Sequence, residues 1–85
     1  MTPRHHRLLQ ALMHGPITRE QVDAITGASN GPDEVLKARR LYRLTIPCHR
    51  RSGLDRDHHR VEFGTYRLTR RDRTRVATLL REVKP

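Results

Sequence analysis

A chain of 85 residues has room for one small domain and excludes two, and its 19 Leu, Ile, Val and Phe residues allow only a modest core. No apolar run approaches the roughly 20 residues of a membrane span, the start MTPRHHRLLQALMHG lacks the apolar core and cleavage site of a signal peptide, and Cys48 alone cannot form an internal disulfide. A soluble protein of the reducing cytoplasm is therefore expected, and its charge of +9, carried by 16 Arg and 2 Lys against 9 acids, points to an anionic partner. Residues 1–38 balance four basic against four acidic side chains, so the whole surplus belongs to residues 39–85, with fourteen against five. Nucleic acid is the commonest polyanion met by a small basic domain of this kind.

In chain order, Leu8, Leu9 and Leu12 recur at one-turn spacing beside His5, with Arg4, Arg7, Gln10 and His14 on the other side, which predicts an amphipathic helix ended by Gly15-Pro16. Thr18 and Gln21 form a capping-box pair that opens a second, short helix with Val22 and Ile25 as its apolar pair. Gly27 suits the left-handed residue that ends it, and Ser29 or Asn30 is placed to cap a third helix with Pro32 in its first turn. That third helix runs from about Gly31 to Tyr42; at 100° per residue Val35, Leu36, Ala38 and Tyr42 gather on one side, and Asn30, Asp33, Glu34, Lys37 and Arg40 on the other.

Leu44–Cys48 reads as a short strand and Thr65–Thr69 as a second. The segment HRRSGLDRDHHRVEFG between them, rich in Arg and His, reads as an exposed β-ribbon or loop. Thr69 with Asp72 caps a last helix whose inner stripe is Val76, Leu79, Leu80 and Val83. The order helix, helix, helix, strand, strand, helix is mainly α with a small β-ribbon, and it is the element order of a winged helix-turn-helix in one domain, residues 1–85.

The stretches TREQVDAITGASNGPDEV, LTIPCHR and GTYRLTRRDRTRV resemble a small winged-helix family found mainly in bacterial and prophage genomes. The IPC followed by G-x-Y-R-L-T and a D-R pair is the more specific part, and the likeness runs from Thr18 to Arg73, about two thirds of the chain. It implies a winged-helix fold and DNA binding. The chain departs from the pattern at Arg43, where a glycine is expected to end the third helix.

The candidate contacts with double-stranded DNA follow from position. Ser29, Asn30 and Gly31 lie at the N-terminus of the third helix, which enters a major groove first; Ser29 or Asn30 can equally be simple caps. Lys37 and Arg40 face outward, where base or backbone contact competes with pairing to Asp33 and Glu34. Arg50, Arg51, Arg56 and Arg60 sit on the ribbon, suited to phosphates or a minor groove, and the solvated-surface alternative is weakened by the local charge excess. Arg70, Arg71, Arg75 and Arg81 form either a second basic face or a merely soluble one. Cys48, His49, His58 and His59 lack zinc-ligand spacing, so surface histidines, a small buried cysteine, and no metal or other cofactor are expected.

A catalytic Cys48-His49 pair or Asp55-Asp57 pair would need a pocket that so small a core cannot build, so no enzyme is expected. A sequence-specific transcriptional regulator of a bacterial cell or phage-infected host fits best. The rivals are a DNA-bending accessory factor for excision or packaging, and a protein-docking winged helix in a homodimer or larger complex.

Overall fold

The computed structural model describes residues 1–82. Four helices, α1 (Pro3–His14), α2 (Arg19–Thr26), α3 (Gly31–Tyr42) and α4 (Arg70–Glu82), combine with three strands, β1 (Ile17–Thr18), β2 (Cys48–Leu54) and β3 (Arg60–Tyr66). The strands form one antiparallel sheet in the order β1-β3-β2. The architecture is thus mixed α/β rather than helices with a ribbon alone, because β1, too short to show any period, pairs Ile17 with Tyr66 and Thr18 with Thr65. Among the described residues no helix is long and apolar enough to cross a membrane.

Three of the four helices open on a local signal. Thr2 accepts from the His5 N–H (3.2 Å), and the Thr18–Gln21 box is reciprocal, with Gln21 N–H donating to Thr18 Oγ1 (3.2 Å) and Thr18 N–H to Gln21 Oε1 (2.7 Å). Thr69 and Asp72 repeat that arrangement on α4 at 3.2 and 3.0 Å. Gly27 ends α2 at φ 72°, where a side chain would be strained. At α3 the expectation fails. Asn30 takes the N-cap position, but neither its side chain nor that of Ser29 makes the cap hydrogen bond; Asp23 Oδ1, from the preceding helix, accepts the Gly31 N–H at 2.5 Å. Arg43 then ends α3 in the left-handed conformation (φ 54°), doing at a cost what a glycine does freely.

Leu8, Leu9 and Leu12 of α1 are fully buried against Val22, Val35, Ala38, Ile46 and Val76, and full burial of one such leucine is worth about 1.5–3 kcal/mol. Tyr66 and Leu68 close the sheet side, while Leu79 and Leu80 are half-buried; Val83 lies outside the described residues. Two assignments on α3 are corrected. Leu36 is exposed, and Glu34 is buried, because His5 Nε2 donates to Glu34 Oε2 (2.9 Å), Arg4 Nη1 to Oε1 (3.3 Å), and His5 Nδ1 meets Tyr42 Oη at 2.9 Å.

The strands also begin elsewhere than expected. Residues 44–47 and 67–69 form no strand, and the seven-residue arms lie mostly in the segment read as a ribbon, overlapping the expected strands only at Cys48, Thr65 and Tyr66. Leu44 and Ile46 are buried in a loop held by Asp72, whose carboxylate accepts from the N–H of Thr45 (2.9 Å) and Ile46 (2.8 Å), and by Arg39, which donates to the carbonyls of Thr45 (3.0 Å) and Ile46 (2.7 Å).

Arginines clamp the helix ends as well. Arg4 and Arg7 of α1 donate to the Ile25 and Thr26 carbonyls that end α2, Arg73 of α4 to Met13 O of α1 (3.1 Å), and Arg75 of α4 to Tyr42 O of α3. These carbonyls have no partner within their own helices, and the cation complements the negative end of the helix dipole. Among the described residues no buried side-chain polar atom lacks a partner.

Candidate nucleic-acid interface

Helix α2, the turn at Gly27 and helix α3 place one side of α3 outward. Ser29 and Asn30 are exposed just before it, and Leu36, Lys37 and Arg40 are exposed along it. Gly31 does not belong with them: it is buried, and its N–H is taken by Asp23, so it has no free donor for a phosphate. A Cβ at Gly31 would run into Asp23 Oδ1 and lie 2.9 Å from Val22 Cγ1, so glycine is required there by the close approach of α2 and α3.

Lys37 pairs with Asp33 (3.2 Å) and Glu34 (3.7 Å), and the hydrogen bond to Asp33 raises its pKa above the usual lysine value. Glu34 titrates in the opposite sense: burial alone would raise its pKa, but the His5 hydrogen bond and the charges of Lys37 and Arg4 outweigh it, and the net shift is downward. Arg40 has no hydrogen bond or ion pair among the described residues and is the one outward cation of α3 left uncommitted. Leu36, 38% exposed one turn before it, adds an apolar contact point of the kind a thymine methyl group takes.

The hairpin splits its arginines. The register pairs Arg50 with Gly64, Arg51 with Phe63 and Leu54 with Arg60, and alternate residues of a strand face opposite ways. Arg50 and Arg60 therefore share the face of Tyr66, and Arg51 lies on the other with Phe63, so the four ribbon arginines do not form one row. Arg50 has an acidic neighbour, Glu62, at 3.8 Å. Arg56 is exposed at the tip, where Asp55 Oδ1 accepts from the N–H of Asp57 (2.9 Å) and His59 (2.8 Å) and His58 sits at φ 63°.

Between the hairpin and the starts of α2 and α3 runs a groove of about 500 Å3, lined among others by Arg19, Pro32, Cys48, Arg50 and Tyr66. The sequence reading misses Arg19, although its place straight after the Thr18 cap is a signal, since a first-turn side chain there is exposed. Cys48 is exposed rather than buried, because β2 is the edge strand. It opens β2 with His49, whereas His58 and His59 sit beyond the far end, roughly 20 Å of strand away. These four do not make one ligand set. Asp55, Asp57 and His59 do approach within 4.8 Å, but all are exposed and Asp55 already closes the turn.

Charge is distributed differently from the ribbon-centred expectation. Residues 39–47 hold three arginines and no acid, residues 48–66 hold four arginines against three acids, and residues 67–85 hold seven basic residues against two acids. The hairpin's own net charge is thus only +1.

No protein-family model, no curated protein and no solved structure matches the chain.

Proposed function

We propose that the chain is a winged helix-turn-helix protein that binds double-stranded DNA in a sequence-specific way, acting as a transcriptional regulator of bacterial or phage type in the cytoplasm. The observation that carries this reading is the juxtaposition of an outward helix face, bearing Arg40 and Leu36 behind exposed Ser29 and Asn30, with a projecting hairpin across an open groove. The sheet order β1-β3-β2, with the hairpin following α3, suits a wing laid beside a recognition helix, and the resemblance of the TREQVDAITGASNGPDEV and GTYRLTRRDRTRV stretches points the same way.

In this reading the start of α3 enters the major groove, Arg40 reaches a base edge or the neighbouring phosphate, and Arg50, Arg56 and Arg60 follow the flanking backbone or minor groove. The role is binding, not catalysis. Selection from a pool of random duplexes tests it. A preferred site should emerge, and Arg40→Ala should cost about 1–3 kcal/mol on that site alone while leaving thermal stability nearly unchanged, since Arg40 is exposed and makes no hydrogen bond or ion pair among the described residues. Selection that returns no preferred sequence would replace the regulator by an architectural factor. Retention of a protein partner at high salt with no duplex affinity would replace it by a docking module.

A further inference from the structure

The basic surplus gathers where α3 ends and α4 begins, at the opposite end of α3 from its entry into the groove. Arg43 at the end of α3 and Arg71 and Arg75 of α4 line one cleft of about 250 Å3, together with Thr45 and Asp72. All three arginines are exposed. Among the described residues Asp72 is the only acid lining the cleft, and its buried carboxylate accepts from the N–H groups of Thr45, Ile46 and Thr69. The Arg75 Nε donates to Tyr42 O, which anchors that guanidinium at the cleft while the side chain stays exposed. Three exposed arginines against one buried carboxylate leave the cleft with a net positive charge, which favours an anion from outside.

The geometry points to this corner as a clamp for the phosphodiester backbone of duplex DNA. Arg40, exposed on the outward side of α3, lies three residues before Arg43, so the cleft opens at the end of the same helix. A duplex laid along α3 would carry one phosphate strand across Arg43, Arg71 and Arg75. The inference rests on the DNA-binding reading of α3 and deepens it: the α3–α4 corner, and not the nearly neutral hairpin, supplies most of the sequence-independent, salt-dependent affinity.

A salt series on the whole chain tests this, using the preferred duplex and a random one. Arg43→Asn keeps a residue that tolerates the left-handed conformation, Arg71→Gln removes an exposed charge, and Arg75 is left in place because of its bond to Tyr42. The double variant should flatten the slope of log affinity against log salt by about 1.8 on both duplexes, about 0.9 for each phosphate no longer neutralised, with sequence preference retained. The hairpin pair Arg56→Gln and Arg60→Gln should flatten it less, and Arg71→Lys should keep the parental slope, because counterion release needs only a positive charge. Unfolding midpoints close to the parent's confirm that the variants are folded. Parental slope in the corner variant, or a larger loss in the hairpin pair, overturns the inference while leaving duplex binding in place. A parent chain that binds no duplex overturns both.

Discussion

Asp72 pins the 44–47 loop to the start of α4, and its replacement is the sharpest test of how that loop is packed. One carboxylate oxygen accepts from Thr45 N–H and the other from Ile46 and Thr69 N–H, all within a residue only 3% exposed. A hydrogen bond to a charged group is worth about 1.5–3 kcal/mol, and each buried donor left without a partner costs about 1–3 kcal/mol. Asp72→Ala strands the buried Ile46 N–H and frees the 44–47 loop, so a loss of about 3–5 kcal/mol is expected against a total of about 4–13 kcal/mol for a chain of this length. Asp72→Asn should lose less, about 1.5–3 kcal/mol. Its one carbonyl oxygen can still serve Ile46 and Thr69, while its amide group meets Thr45 donor to donor.

The same residue fixes a pH dependence. Burial pushes the Asp72 carboxyl up, but the Thr45, Ile46 and Thr69 hydrogen bonds outweigh it and hold its pKa below the ordinary 3.8. A depressed folded-state value means that the stabilisation is complete above the unfolded value and is lost as pH falls through the folded one. Urea unfolding followed by far-UV circular dichroism should therefore show the gap between parent and Asp72→Asn narrowing below about pH 3.8. An Asp72→Ala midpoint within about 0.5 kcal/mol of the parent at pH 7, or a gap that stays constant into acid, would refute the reasoning.

Gly31→Ala should destabilise by about 1–3 kcal/mol even though alanine is the better helix former, because its Cβ meets Asp23 Oδ1 and Val22 Cγ1; a rise in the melting temperature would disprove the close approach of α2 and α3. Glu34→Ala should cost about 2–4 kcal/mol by leaving the buried His5 Nε2–H without an acceptor, read as a shift in the urea midpoint at unchanged m-value. Because Glu34's pKa is depressed, the parent's advantage over Glu34→Ala should be full above its ordinary 4.5 and shrink as pH falls below it.

The helices were legible because their signals are local. Leu8, Leu9 and Leu12 repeat at one-turn spacing, and Thr18–Gln21 and Thr69–Asp72 are caps that form within four residues. What escaped depends on distance along the chain. Glu34 looks like a solvent residue until His5 and Arg4, 29 and 30 positions away, bring it inside, while Leu36 stays exposed. The Asp23 cap on Gly31 spans eight residues and an intervening helix end. Leu44 and Ile46 suggested a strand because they are apolar and alternate, yet their burial comes from a loop pinned by Asp72 and Arg39. The true strands carry almost no apolar alternation, since most of the hairpin faces solvent on both sides. For the candidate site, the exposure of Ser29, Asn30, Arg40 and the ribbon arginines was readable. The two-sided placement of Arg50 and Arg51 was not, because it is set by a register that places Arg50 opposite Gly64 and Arg51 opposite Phe63.

The arginines also show why a charge count is a poor map of an interface in so small a domain. With few large apolar residues and no disulfide, the chain closes its helix ends with long side chains from neighbouring elements: Arg4 and Arg7 reach the end of α2, Arg73 that of α1, and Arg75 that of α3. A guanidinium suits this task because its stem covers apolar surface while its planar head donates to several carbonyls at once. Each such residue adds to the net charge of +9 without being free to move onto a ligand. Arg75 does both, since the bond that anchors it to Tyr42 O also holds it beside Arg43 and Arg71. A cation immobilised by the fold loses little side-chain entropy when a phosphate arrives, whereas Arg56 at the hairpin tip must be ordered by the ligand itself. At equal charge, the anchored Arg75 of the α3–α4 corner is therefore a stronger contact than Arg56.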